Sequence, residues 1–261
     1  MNVAGAGAAR SIFITGASAG IGRALAVHYA QQGCSVGVTA RRASVLDTLC
    51  ADFPGRIVGF TADVRNALAM QDAAHRFIDR CGLPDIVYAN AGVSVGTLTE
   101  HSADVEVFRE VIETNLLGLV HTFAPFLVPM RGRGSGILAG IASVAGVRGL
   151  PGASAYSASK AAAIAYLESL RIEERGNGLR VVTVCPGYIA TDMTAANPYW
   201  MPFLLQVTDA AQRIARVTEQ GRAYAIVPWQ MALVARLMRM MPNALWDRLS
   251  SRGGRKPRRT G

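Results

Sequence analysis

Seven short runs of apolar and β-branched residues, each followed by a longer amphipathic stretch, constrain this chain more than any other feature of it. The runs fall at residues 11–15, 35–39, 56–61, 85–89, 136–143, 180–185 and 222–227. Helix-length segments lie between and after them, at about 20–32, 44–53, 66–81, 105–130, 153–175 and 208–220. Strands joined through helices cannot pair as tight hairpins; they pair in parallel through right-handed crossovers, which place helices on both faces of one sheet. The pattern therefore predicts an α/β fold, a doubly wound parallel sheet of about seven strands. Ligands of such sheets bind beyond the carboxyl ends of the strands. The glycines and polar motifs of this sequence gather at those ends.

With 261 residues, 51% of them hydrophobic and 17% charged, the chain can bury a sizeable core. Its net charge of +9 is unevenly placed: from Arg236 onward eight cations face Asp247 alone, leaving only +2 for the body. That distribution predicts an α/β body over residues 1–227, an amphipathic helical extension over 228–250 and a disordered basic tail over 251–261. A nucleic-acid binder would spread its cations over a folded face, so no nucleic-acid partner is expected. Cys34, Cys50, Cys81 and Cys185 show no metal-type or redox-type spacing, which predicts reduced thiols, no metal and a reducing, cytoplasmic setting. Residues 1–10 lack the basic-then-apolar order of a secretory signal, and no uncharged apolar run reaches the ~18 residues of a membrane span.

Between the first strand and first helix stands Thr15-Gly16-Ala17-Ser18-Ala19-Gly20-Ile21-Gly22. The glycines let the backbone turn tightly and approach a pyrophosphate at a helix N-terminus, so Gly16, Ser18, Ala19, Gly20, Ile21 and Gly22 are read as a dinucleotide cradle. After the second strand come Arg41 and Arg42, where an acid gripping an adenosine 2′-hydroxyl would otherwise stand. Two guanidiniums suit a 2′-phosphate, which favours NADP(H) over NAD(H). Asp63, followed by Val64 at the end of the third strand, is placed to accept from an adenine amine. A capping box is read at Ser44-Val45-Leu46-Asp47.

Tyr156 and Lys160 lie four residues apart in a helical segment, so one turn stacks phenol and ammonium on one face. An ammonium favours phenolate, which makes the pair a candidate proton donor and acceptor. With the glycine segment, Asn90-Ala91-Gly92 after the fourth strand and Pro186-Gly187 after the sixth, the chain resembles the short-chain dehydrogenase/reductase family, in its single-domain branch. The resemblance implies a Rossmann-type sheet and a catalytic tetrad of Asn115, Ser143, Tyr156 and Lys160. In that reading Tyr156 exchanges a proton with a carbonyl oxygen held by Ser143, Lys160 lowers the phenol's pKa and holds the ribose, and Asn115 holds a water that relays protons to Lys160. It further implies that Asn90, Ala91 and Gly92 shape the nicotinamide side of the cleft, and that Pro186, Gly187, Ile189 and Thr191 meet the carboxamide. Tyr188 and residues 193–205, with Met193, Pro198 and Trp200, read as an aromatic substrate lid.

The stretch from Pro228 through Met241 and Trp246 is amphipathic and basic, suited either to a membrane interface or to packing over the domain as a cleft cover or dimer contact. Apolar lid and amphipathic terminus together point to an NADP(H)-dependent interconversion of a lipophilic ketone and its alcohol, such as a long-chain ketosphingoid base or 3-oxoacyl compound. Steroid, retinoid or small-ketone substrates, and a non-catalytic NADP-binding regulator, are the alternatives. The partners expected are a lipophilic carbonyl substrate, a further copy or copies of the chain in a homodimer or homotetramer, and the inner face of a membrane touched through the C-terminal helix.

Overall fold

The computed structural model describes residues 10–195, 197, 199–251 and 254–259. Residues 1–9, Pro198 of the expected lid and Arg252 of the expected tail lie outside the described residues. In chain order the elements are β1 (Ser11–Thr15), α1 (Gly20–Gln31), β2 (Ser35–Ala40), α2 (Ala43–Asp52), β3 (Ile57–Thr61), α3 (Ala67–Cys81) and β4 (Ile86–Ala89). Then follow α4 (Ala103–Ile112), a π-helical turn (Glu113–Leu117), α5 (Gly118–Arg133), β5 (Gly136–Ile141), a 3-10 turn (Val144–Gly146), α6 (Ser154–Glu173) and β6 (Leu179–Pro186). The chain continues through β7 (Ile189–Ala190), α7 (Asp192–Ala195), β8 (Leu205–Gln206), α8 (Val207–Glu219), β9 (Tyr224–Val227), α9 (Gln230–Met240) and α10 (Asn243–Ser250).

Seven strands form one parallel sheet in the order β3-β2-β1-β4-β5-β6-β9, as expected for a Rossmann-type fold. The reversal of strand order between β1 and β4 opens a crevice at their carboxyl ends. Alternation along β1 builds the two faces: Ile12 and Ile14 join Leu25, Tyr29, Val36 and Ile214 on one side. Phe13 joins Phe77, Phe123, Phe126 and Leu167 on the other. Both faces are buried, so the strands read as continuous apolar runs rather than as alternating ones.

Helix ends show where local chemistry acted. Asn66 caps α3 by accepting from the Ala69 amide at 3.0 Å. The capping box read at Ser44–Asp47 does not form; α2 begins at Ala43, one residue before the intended cap, with no side chain on its first amides. The segment expected as one helix over 105–130 runs from Ala103 to Arg133 with the π turn inside it. By length and composition those 31 residues are apolar enough to cross a membrane, although the sequence holds no uncharged run of that length. Their Leu119, Phe123, Phe126 and Met130 instead pack into the core beneath the sheet.

The C-terminal extension is two helices, because Pro242 cannot donate to a continuing helix and starts α10 instead. Arg148 secures the junction, donating to the Met238 carbonyl at 2.6 Å and to Asn243 Oδ1 at 2.7 Å, with its guanidinium 5.0 Å from the Trp246 ring. Met231 and Ala235 face inward, while Leu233, Leu237 and Met240 stay exposed. Residues 254–259, read from sequence as part of a disordered tail, fold back onto the body: the Gly96 amide donates to the Pro257 carbonyl at 2.9 Å, and Gly96 bridges to Arg258.

Candidate active site

The turn after β1 is closed by contacts that leave no room for side chains. Gly16 has φ +71°, and a Cβ there would fall 2.6 Å from the Ala91 Cα. A Cβ on Gly22 would lie 2.4 Å from Asn90 Nδ2 and 2.5 Å from the Gly16 carbonyl. The Asn90 amide donates to the Thr15 and Gly16 carbonyls at 2.9 and 3.2 Å, so this side chain ties the glycine turn to the end of β4. Thr15, which carried no role of its own in the sequence, accepts from the Asn90 and Ala91 amides through its hydroxyl. No side chain caps α1 and no acid stands in its first turn, so its leading amides have no side-chain partner.

That crevice holds most of the anticipated cofactor residues. Gly16, Ser18, Ala19, Gly20 and Ile21 form one wall. Arg41, Asp63, Val64, Asn90, Ala91, Gly92, Pro186, Gly187, Ile189 and Thr191 line the crevice as well. Two expected residues lie elsewhere. Gly22 sits behind the turn as a packing residue, and Arg42 is exposed at the start of α2, outside the lining. Asp63 receives three hydrogen bonds from the Arg65 guanidinium, which holds its pKa down and occupies both carboxylate oxygens.

Ser143, Tyr156 and Lys160 converge on the same crevice. Ser143 follows β5 and is held by accepting from the Ala145 amide at 3.1 Å. Lys160 is buried and donates to the Ile141 carbonyl at 2.7 Å, with Nζ 5.9 Å from the Tyr156 ring centroid. Burial disfavours its charged form and lowers its pKa to about 8. The phenol of Tyr156 is pushed up by burial, against the pull of the Ser143 hydroxyl. Desolvation is the larger influence on this phenol, and the Lys160 ammonium that would favour its phenolate donates to the Ile141 carbonyl.

Asn115 is held by hydrogen bonds to two other segments. It sits in the π turn with Oδ1 accepting from the Val93 amide at 2.8 Å, and Nδ2 donating to the Val93 carbonyl and to Ser159 Oγ, each at 2.9 Å. The side chain therefore tethers the β4 loop to α6. Gly92 keeps the space beside it open, since a Cβ there would lie 3.2 Å from Asn115 Oδ1 and 3.5 Å from Lys160 Nζ.

The family model for short chain dehydrogenase matches residues 10–201. This chain belongs to the short-chain dehydrogenase family. It is 37% identical to an uncharacterized oxidoreductase of Myxococcus xanthus over 93% of its length and 97% of that protein's. An NADPH-dependent pterin aldehyde reductase of Arabidopsis thaliana is 33% identical, over 71% of this chain and 77% of the relative. The crystal structure of a short-chain dehydrogenase from Streptomyces avermitilis superimposes with a TM-score of 0.75 at 27% identity, over 93% of this chain and 98% of that one. The protein is an oxidoreductase of this family, a dehydrogenase or reductase.

On the substrate side of this short-chain dehydrogenase, Met193 reaches the crevice, as expected. Tyr188 lies behind the lining, its ring edge-to-face with Tyr199 at 6.4 Å. Trp200 is 82% exposed and outside the lining. The returning C-terminal segment also approaches Tyr156. Arg258 donates to both oxygens of the buried Asp104 at 2.8 and 3.0 Å, and Arg259 pairs with Glu110 at 2.8 Å. Lys256 Nζ lies 5.8 Å from the centroid of the Tyr156 ring. The carboxylates of α4 and the bridge to Gly96 offset the entropy of ordering a tail whose composition alone reads as disordered. Lys256 and Val93 were missed from the sequence. The only available signal for Lys256 was its rarity, as one of two lysines in the chain.

Proposed function

We propose that this short-chain dehydrogenase interconverts a ketone and a secondary alcohol with NADP(H), and that it acts on a lipophilic carbonyl compound. The observation that carries the reading is the convergence of Ser143, Tyr156 and Lys160 on the crevice that also holds the glycine turn and Arg41. The residues present suit a dinucleotide: the uncapped amides of α1 meet a pyrophosphate, and Arg41, which makes no ion pair among the described residues, meets a 2′-phosphate. A bound nicotinamide supplies or accepts the hydride.

The chain's own residues handle the proton. Ser143 holds the carbonyl oxygen. Tyr156, whose phenol stays protonated at neutral pH because burial raises its pKa, donates to that oxygen during reduction and takes the proton back during oxidation. The Lys160 ammonium stabilises the phenolate left behind and donates to the ribose. Asn115, by holding Val93 and Ser159, keeps the floor of the crevice in register with α6 and acts as a positioning residue.

Support for a lipophilic substrate comes from Met193, which lines the crevice and is exposed, and from Phe203 and Leu204, exposed further along the same stretch. The exposed row of Leu233, Leu237 and Met240 on α9 adds a surface for peripheral contact with lipid or with a second copy of the chain. Tyr156→Phe tests the reading through NADPH consumption with ketone substrates. Loss of the proton donor should cut kcat by roughly 10² to 10⁴ with NADPH binding retained. Unchanged turnover would remove Tyr156 from the chemistry.

A further inference from the structure

Three cations in the returning segment have different fates. Arg258 is bound to Asp104 and Arg259 to Glu110, both on α4. Lys256, between the Pro257–Gly96 hydrogen bond and Gly254 on Tyr199, takes no carboxylate and no hydrogen-bond acceptor among the described residues. It is half-buried, and that burial lowers its pKa. Its Nζ stands 5.8 Å from the Tyr156 ring centroid, while Lys160 Nζ stands 5.9 Å from the same centroid. The two lysines of this chain thus both approach one phenol, although every other permanently charged basic side chain is an arginine.

A cation–π contact does not account for this placement. At that distance it contributes about 0.5–1 kcal/mol in a partly wet site. Withdrawing an ammonium from water without a counter-anion costs several times as much in a dry interior, and the flexible stem could carry the head back to solvent. The anchors on either side hold it over Tyr156 instead. An ammonium so placed, with no partner of its own, is a receptor for an anion that arrives with the substrate. Tyr188 and Tyr199 supply an aromatic wall beside it, and Gly254 packs directly on Tyr199.

We propose that the C-terminal segment 254–259 is part of the substrate site, and that Lys256 selects oxo acids, carbonyl substrates carrying a carboxylate a few bonds from the ketone. The proposal rests on the assignment of Tyr156 as the proton donor, since that assignment brings the reacting carbonyl to the phenol whose ring Lys256 approaches. It narrows the substrate class from any lipophilic ketone to an amphiphilic one, with its chain against the aromatic and apolar rim and its anion on Lys256. Asp104 and Glu110 act at a distance as positioning residues through the two arginines.

The test is calorimetric binding to the full chain loaded with NADP⁺, using γ-oxododecanoate and its neutral methyl ester as probes. The wild type should bind the acid at least tenfold more tightly than the ester. Lys256→Met should abolish that preference by weakening the acid alone, and Lys256→Arg should keep most of it. Equal affinity for acid and ester in the wild type, or equal weakening of both by Lys256→Met, would overturn the proposal. Tyr156→Phe separates the two readings: it should keep the acid preference in binding while losing turnover. Normal turnover in that variant would refute the proton-donor assignment and leave the binding result for Lys256 standing.

Discussion

Gly146 offers the most direct test of how the site is assembled. It closes the 3-10 turn that begins after Ser143, and its Cα faces the backbone of α6 at the residue that matters most there. A Cβ at this position would lie 2.6 Å from the Lys160 carbonyl carbon, 2.8 Å from its oxygen and 2.8 Å from the Ala161 nitrogen. Ordinary contact begins at 3.4 Å, so the turn and the helix must separate by 0.8 Å, and because every obstructing atom is backbone no rotamer change relieves the clash. Ser143 rides on the turn, whereas Tyr156 and Lys160 ride on the helix. A misplacement of about 1 Å between reacting groups costs roughly 100-fold in rate. Gly146→Ala should therefore lower kcat by about 30- to 100-fold, equivalent to about 2–2.7 kcal/mol of barrier. Overpacking should also cost about 1–3 kcal/mol of stability, which leaves the protein folded at the assay temperature. The assay is kcat for ketone reduction at saturating NADPH, set beside NADPH affinity and a thermal unfolding curve. Gly149→Ala is the control, since no atom lies within 4 Å of its added methyl. A folded Gly146→Ala protein with kcat within threefold of wild type, or an equal loss in Gly149→Ala, would refute the reasoning.

Lys160 sets the pH dependence: burial lowers its pKa to about 8, so kcat/KM for ketone reduction should fall as pH rises through that value and the ammonium that stabilises the Tyr156 phenolate is lost. Because the folded pKa lies below the unfolded one, unfolding free energy should rise between about pH 8 and 10.4, where only the unfolded chain keeps the proton. Lys160→Met should remove both inflections, and their persistence would assign them to another group. Arg41→Ala should raise the KM for NADPH with little change for NADH, while Arg42→Ala should leave both nearly unchanged, as its side chain lies outside the crevice. Equal losses for the two cofactors in Arg41→Ala would count against the 2′-phosphate contact.

Much of the site was legible because its chemistry is written in short-range spacing. Tyr156 and Lys160 share a helix face by virtue of four residues of separation, and the glycines from Gly16 to Gly22 bear the mark of a strand-to-helix turn whatever surrounds them. The Asn66 cap was readable as the start of a helix, whereas the box at Ser44 was not formed, because α2 starts a residue early and its first turn is left to solvent. Asn115 illustrates the opposite case. Its position in the chain was identified, but the partners of its side chain were not, since Val93 and Ser159 lie 22 and 44 residues away.

The tail marks the boundary most sharply. By composition residues 251–261 are basic and poor in apolar side chains, and nothing within them specifies a fold. The order of residues 254–259 comes from Asp104 and Glu110, 154 and 149 residues earlier in the chain, and from the backbone at Gly96. The sequence alone determined the alternation of strands and helices, the glycine turn and the Tyr156–Lys160 pair, because each depends on side-chain periodicity and backbone freedom within a few residues. Only the tertiary structure decided which arginine faces the crevice, what Asn115 holds and where Lys256 rests. Those outcomes depend on charges and hydrogen-bonding groups that meet across the fold, and pairing between distant residues leaves no local trace in a single chain.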